Sequence, residues 1–267
     1  MLKKRLIGVV TVRNGWAVQS FGYRRYLPLG RPECLVENLD RWGADEILLQ
    51  VVDRSLPGHA AQGPDLELLR RVGRLGIGSP LVYGGGIRCE EDALQVVESG
   101  ADRVLLDALL HDNPLAMGGI SAMLGAQAVI GSLPLSYGAL GLVHLNYRTG
   151  TSAPMSSGLV QMLASGLVSE VLVTDHLHEG DAAGFDERLV EDFPVRGMPL
   201  IAFGGISESE QQASLLGREA VSAIAVGNFL NYREHAVQRF KEGLTRVSIR
   251  PPAFESHFPL VARHAKN

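Results

Sequence analysis

The sequence predicts a (β/α)₈ barrel in a single α/β domain spanning residues 1–267, and three observations predict it. Eight short apolar, β-branched runs recur along the chain, and amphipathic stretches fall between them. The runs are continuous rather than alternating, as expected of parallel strands whose outer face is covered by helices. A half-length repeat also runs through the chain. PLVYGGGIRCEEDALQVVESGADRVLLD aligns without gaps on PLIAFGGISESEQQASLLGREAVSAIAV, with Pro80 falling on Pro199. RLIGVV and DEILLQ find counterparts in QAVIGS and SEVLVT at a similar shift. The chain reads as two fused half-barrels, residues 1–125 and 126–250, followed by a tail at 251–267.

Each element follows in order. RLIGVVT (5–11) reads as a first strand that ends at Thr11 and passes into the turn RNG. EILLQVV (46–52), LVYGG (81–85) and RVLLD (103–107) complete the first half. AVIGSL (128–133), EVLVTD (170–175), LIAFGG (200–205) and SAIAVG (222–227) supply the second. Helical segments such as ECLVENLDRW, LELLRRVGRL, EEDALQVVESG and ESEQQASLLG fall between strands. A doubly wound open sheet is the alternative. It needs a glycine-rich dinucleotide loop after the first strand, and VTVRNG is not one. SYGALGLVHLNYRTGTSAP (136–154) lies outside the repeat and is predicted to be a hairpin inserted after the fifth strand, over the C-terminal face.

Composition narrows the function. The chain is 46% hydrophobic and 20% charged with a formal net charge of −4, so a basic nucleic-acid footprint is excluded. Cys34 and Cys89 stand far apart with no metal-ligand spacing and read as free thiols of a reducing compartment. The apolar run in MLKKRLIGVV is too short for a signal peptide, and no stretch approaches the roughly 20 residues of a membrane span. A cytoplasmic protein with no membrane partner is expected.

Period-two alternation assigns the strand residues that point into the barrel. Arg5, Ile7, Val9 and Thr11 share one face of the first strand; Glu46, Leu48 and Gln50 share one face of the second. Arg103, Leu105 and Asp107 do so in the fourth, and Glu170, Leu172 and Thr174 in the sixth. Four strands therefore begin with an inward charge, in the set Arg, Glu, Arg, Glu, beneath a layer of Ile7, Leu48, Leu105 and Leu172. The charges sum to zero and suit a salt-bridged ring. Neutral ammonia crosses an apolar layer readily, whereas ammonium pays a large desolvation cost. The plainer account is that such charges only tie the barrel bottom together.

GGGI after the third strand and GGI after the seventh carry a resemblance, together with KRLIGVVTVRNG, GADEILL, PLVYGGGI, GADRVLLDALLHDNP, EGDAAGFD and IAFGGISESE. These segments resemble the HisA/HisF family of sugar-phosphate barrels, over nearly the whole chain. Within it they look most like the HisF branch, the cyclase subunit of imidazole glycerol phosphate synthase. That resemblance implies a HisH-like glutaminase docked at the barrel bottom, releasing ammonia that travels up the axis. Arg5, Glu46, Arg103 and Glu170 match the family's gate, with arginine where lysine is common. No cofactor and no metal are implied.

The departures fall on the chemistry. The family's two catalytic aspartates, at the ends of the first and fifth strands, are Thr11 and Pro134 here, neither of which is a base near neutral pH. A third acidic position is Val51, with Asp53 two residues on. The family holds a bis-phosphate substrate in two glycine-rich turns. Their counterparts are Gly85 and Gly86 on one side, and Gly204, Gly205, Gly227 and Asn228 on the other. The family's Asn-Thr after the fourth strand reads Asp107-Ala108, and its Asp-Gly-Thr after the sixth reads Glu179-Gly180-Asp181. A carboxylate in such a loop repels phosphate. One site for a phosphate or phosphosugar is expected to survive, on the side of the seventh and eighth strands.

Three readings follow. The first is a HisF-like synthase subunit that conducts ammonia but has lost the cyclase acids. Its nearest subgroup is the glycosyl-amidation (WbuZ type) proteins, which implies a sugar amidotransferase as a further partner and a surface-polysaccharide sugar as acceptor. QSFGYRRYLPLGRP, with Tyr23, Arg24, Arg25 and Tyr26, would form a basic-aromatic loop over the top face. The second is an active cyclase of histidine biosynthesis with relocated acids drawn from Asp107, Asp175 and Asp181, with Asp53, Thr174, His176 and His178 nearby. The same loop cluster has the ligand types of a metal site. The third is a scaffold that activates a glutaminase and binds no small molecule.

Overall fold

The computed structural model describes residues 3–54, 62–139, 141–231, 235–244 and 247–252. The expected tail therefore lies almost wholly outside the described residues. Twelve strands run through the described chain: β1 (Arg5–Arg13), β2 (Trp16–Phe21), β3 (Arg25–Gly30), β4 (Glu46–Val51), β5 (Leu81–Gly84), β6 (Arg103–Leu106), β7 (Val129–Gly138), β8 (Gly141–Asn146), β9 (Thr151–Ala153), β10 (Glu170–Asp175), β11 (Leu200–Phe203) and β12 (Val221–Val226). Eight of them close on themselves in the order β1-β4-β5-β6-β7-β10-β11-β12, every pairing parallel. This is the (β/α)₈ barrel that the apolar runs predict.

Helices cover the outside. Leu66–Gly73 turns Leu68, Leu69 and Val72 onto the sheet, and Asp65 caps its start by accepting from the Leu68 N–H at 3.0 Å. Most of the buried apolar side chains form the shell between strands and helices; a second, smaller cluster fills the barrel interior. No helix among the described residues is long and apolar enough to cross a membrane.

The four strands outside the ring build the top. β8 and β9 continue antiparallel from β7, so the segment after the fifth barrel strand is a three-stranded meander rather than a simple hairpin. The larger departure lies after β1. The strand does not stop at Thr11; it runs to Arg13 and turns back through Asn14 (φ 51°) and Gly15 (φ 75°) into β2. Two consecutive left-handed residues are what a two-residue hairpin turn requires, and Asn-Gly supplies them. β3 then pairs with β2, so the expected basic-aromatic loop is a hairpin. Pro28 is tolerated because β3 is an edge strand.

The barrel bottom is fastened by a buried ion pair. Lys241 Nζ lies 2.8 Å from Asp45 Oδ1 and donates to the Gly43 carbonyl at 2.7 Å, while Asp45 Oδ2 accepts from the Leu6 N–H at 2.8 Å. Both side chains are almost fully buried. Lys241→Met is expected to leave Asp45 charged and half-paired, costing about 3 kcal/mol in urea unfolding. A change below about 0.5 kcal/mol would show that this pair does not anchor the C-terminal helix.

Candidate functional site

The barrel axis is organised in three levels. At the bottom the four inward charges close into a cycle. Arg5 Nη1 reaches Glu46 Oε2 at 3.0 Å, and Arg103 Nη1 reaches Glu46 Oε1 at 2.9 Å. Arg103 Nη2 reaches Glu170 Oε2 at 2.8 Å, and Arg5 Nη2 closes the ring on Glu170 Oε1. Each carboxylate bridges two guanidiniums, the geometry in which arginine outperforms lysine. Ser222 and Ser169 extend the ring, donating to Glu170 at 2.5 Å and accepting from Arg103 at 2.9 Å. Burial alone would push the Glu170 carboxyl up, but Arg5 and Arg103 outweigh it and hold it below the usual range. The Arg103 guanidinium is likewise disfavoured by burial and raised on balance by Glu46 and Glu170.

Above the ring lies a layer with one apolar side chain from every barrel strand: Ile7, Leu48, Val82, Leu105, Ile130, Leu172, Ile201 and Ala225. They enclose a void of about 10 Å³, room for one water-sized molecule with no polar wall to bind it.

Above that layer opens a cavity of about 530 Å³, within the range of small-molecule sites. Its walls come from the tops of β4, β5, β6, β7 and β10, with the β2–β3 hairpin and the β7–β9 meander beside it. Among the described residues Asp107 is the only carboxylate lining it. Asp107 sits two residues above Leu105, deep in the site, and Ser132 Oγ donates to its Oδ2 at 3.1 Å. Burial pushes the Asp107 carboxyl up to about 7, and the neighbouring charge of Asp112 adds to the rise. A group poised there both holds and yields a proton near neutral pH. His176 stands at the rim with Nε2 3.1 Å from Ser136 Oγ, and burial keeps its imidazole below the ordinary value.

The other expected site residues fall elsewhere. Pro134 lines the cavity, but Thr11, 6% exposed, does not; it is paired with Val18 of β2 under the hairpin. Asp175 is fully enclosed and committed: its carboxylate accepts from the backbone N–H of Leu177, His178 and Asp186 and lies 2.8 Å from His178 Nδ1. It orders the loop after β10 and does not face the cavity. Asp181 is exposed and lies outside the cavity lining, and Asp53 receives the Asn14 N–H of the hairpin turn at 2.5 Å. Of the expected carboxylates only Asp107 faces the cavity, with Thr174 and His176 beside it. Among the described residues no set of three His, Cys, Asp or Glu side chains is placed to hold a metal ion.

The two glycine-rich turns separate in the same way. Gly85 and Gly86 line the large cavity. Gly85 has φ 136°, and a Cβ there would sit 2.4 Å from the Val51 carbonyl oxygen. Gly204, Gly205, Gly227 and Asn228 instead surround a separate void of about 20 Å³, room for about one water. The chain's own hairpin lies against this turn. Asn228 Nδ2 donates to the Ser20 carbonyl at 2.7 Å and its Oδ1 accepts the Ser20 N–H at 3.2 Å. The Glu179 carboxylate takes the Ser20 hydroxyl at 2.9 Å and the Tyr23 N–H at 3.2 Å.

A family model described as "Histidine biosynthesis protein" matches residues 5–236. The chain belongs to that family. It is 30% identical over 255 residues to the imidazole glycerol phosphate synthase subunit HisF of Staphylococcus aureus (strain Newman), covering 93% of this chain and 99% of that protein. The HisF subunit of Alkaliphilus metalliredigens (strain QYMF) is 28% identical over the same length, covering 93% and 98%. Thr11 and Pro134 therefore lie inside a HisF-like frame.

Sequence reasoning missed Ser132. The signal was present, since Ile130, Ser132, Pro134 and Ser136 alternate inward along β7 as the charges do elsewhere.

Proposed function

We propose that this chain is the ammonia-receiving synthase subunit of a glutamine-dependent amidotransferase, with its acid–base chemistry carried by Asp107. The observation that carries the reading is the stacking along one axis of a charged ring, an eight-residue apolar layer and a cavity floored by a single titrating acid. A HisH-like glutaminase docks below the ring, whose arginine side chains are 13–19% exposed. Ammonia passes the apolar layer as the neutral species, because ammonium would be stripped of water with nothing in return. Its first polar contacts are Asp107, Ser132, Gln50 and Thr174. The nitrogen adds to a carbonyl carbon of an acceptor held in the cavity, the C=O π pair moves onto the oxygen, and Asp107 relays the proton that the nitrogen sheds to that oxygen. The resemblance to the glycosyl-amidation subgroup supports a sugar of a surface polysaccharide as that acceptor, with a sugar amidotransferase as further partner.

The second reading, the cyclase of histidine biosynthesis, is favoured by one observation, the buried carboxylic acid of Asp107 lining the cavity with Ser132 Oγ on it. One assay separates the two. The purified protein is given the bis-phosphate cyclase substrate and ammonium salt at mildly alkaline pH, and substrate loss is followed. No turnover is expected, because Pro134 supplies no acid and Thr11 is shut under the hairpin. Turnover abolished by Asp107→Asn would establish the cyclase instead. The partner is tested by mixing the protein with each HisH-like glutaminase of its genome and following glutamate release. A complex with altered glutamate release is expected, and none with any of them would overturn the reading.

A further inference from the structure

The contact between Ser136 and His176 at the cavity rim is a feature that the proposed function does not use. Strand register fixes it. β7 and β10 run parallel with Asp175 beside Leu135, and Ser136 and His176 are the next residues along. Both side chains line the cavity, and Oγ lies 3.1 Å from Nε2. Groups carried at strand ends are held more precisely than groups on loops. Ser136 stands about 13 Å along the strand from Ser132, so the contact is clear of the one between Asp107 and Ser132 at the floor.

The electrostatics suit a base on His176. Burial is the main cause that holds its imidazole below the ordinary value; the Asp175 charge opposes it, and Arg24 and His178 add to it. The ring is therefore neutral near neutral pH and has a lone pair for a proton. With its own proton on Nδ1, it turns the Nε2 lone pair to the Ser136 hydroxyl, which donates to it. Asp175 does not complete a triad. Its oxygens are taken by His178 Nδ1 and by the backbone N–H groups of Leu177, His178 and Asp186. Arg24 lines the same cavity, and among the described residues no carboxylate lies within ion-pair distance of it. A guanidinium so placed favours an oxygen that turns negative nearby. The wall around the contact is apolar: Pro134 stands two residues before Ser136, Leu177 follows His176, and Leu145 of β8 lines the cavity with them.

We propose that Ser136 and His176 form a nucleophile–base dyad that gives the cavity a second activity, the hydrolysis of small acyl esters such as an O-acetyl group on a sugar. The Ser136 hydroxyl adds to the acyl carbon, His176 Nε2 takes its proton, and the C=O π pair moves onto the oxygen, with Arg24 as its counter-charge. The electron pair returns, the C–O bond to the alcohol breaks, and the alkoxide leaves with the proton from Nε2. Water then adds to the acyl-serine carbon and gives a proton to Nε2. Collapse breaks the bond from the acyl carbon to Oγ, and Oγ recovers that proton. Ester and water become acid and alcohol, with no further reactant. The inference stands apart from the amidation reading, since it needs neither the glutaminase nor Asp107.

The test uses the whole protein with p-nitrophenyl acetate and, separately, with an alkyl fluorophosphonate, which labels activated serines. Wild type is expected to release nitrophenol over many turnovers, about tenfold or more faster than Ser136→Ala, the yield of a base acting on a positioned hydroxyl. The fluorophosphonate should leave one adduct, located on Ser136 by mass spectrometry. His176→Gln should slow its formation by about tenfold or more, because an amide is no base. Labelling of the wild type needs no variant and decides the matter even where Ser136→Ala folds poorly. An adduct on another residue, or none, overturns the dyad. So does equal nitrophenol release from wild type and Ser136→Ala, or a labelling rate that His176→Gln leaves unchanged.

Discussion

Glu46→Ala is expected to leave the barrel folded, cost about 3–5 kcal/mol, and uncouple ammonia from the cavity. Glu46 is 3% exposed and bridges Arg5 and Arg103 through both oxygens. Removing it leaves two guanidiniums facing each other across a partly desolvated space, with Glu170 alone to balance them. Loss of one partner from a buried ion pair is expensive because the survivors stay charged. A barrel of this size tolerates the loss, because the strands above are held by a separate apolar layer. The unfolding midpoint in urea measures the cost. The functional effect is read by comparing product formed from glutamine with product formed from added ammonium. The first should fall and the second persist, since the cavity and Asp107 are untouched. Unchanged coupling in a destabilised variant would reduce the ring to a structural clamp.

The ring and the barrel were legible in the sequence for the same reason. A strand's side chains alternate with a period of two, so once RLIGVVT is read as a strand, Arg5, Ile7 and Val9 must face one way. Closure of the sheet then brings Arg5, Glu46, Arg103 and Glu170 to one level, as the ion pairs show. The hairpin was not legible in that way. YRRYLPLG has no clean alternation and a proline, and its pairing with β2 depends on a turn at Gly22–Tyr23 that puts a tyrosine in a glycine-like conformation. What fills the second glycine turn was less accessible still. Asn228 and Ser20 stand 208 residues apart, and Glu179 and Ser20 stand 159 apart; no local pattern links them. The sequence reads Glu179-Gly180-Asp181 as a loop whose carboxylates repel phosphate, and Glu179 is the one that the fold buries. That it serves the chain's own backbone emerges only in three dimensions. Asp107 was visible as an inward residue, but alternation places Thr174 and Gln50 at a similar height. Its neutral-range titration comes from its surroundings, which the sequence does not display.

Asp107→Asn is expected to abolish the acid–base function and, above neutral pH, to stabilise the protein. In the folded chain burial raises this carboxyl from 3.8 to about 7. Below about pH 4 it is protonated in both folded and unfolded chains and contributes no pH dependence. Between about pH 4 and 7 the folded state keeps the proton that the unfolded state has released, so stability falls as pH rises. Above about pH 7 both states are ionised and the penalty is complete, on the order of 2–4 kcal/mol once water in the cavity is allowed for. Asparagine carries no such penalty, and its carbonyl oxygen still accepts from Ser132. Urea unfolding at several pH values should therefore show the variant more stable than wild type at pH 8, with the gap closing towards pH 4. The amidation rate should fall by about 100-fold or more, as when a positioned general base is removed. An acid that weakens the fold at working pH is held for its chemistry rather than for packing. A variant less stable than wild type at pH 8 would mean that Asp107 is ionised and paired in the folded state. The cavity would then lack a titrating group at the exit of the apolar layer, where a base for incoming ammonia has to stand.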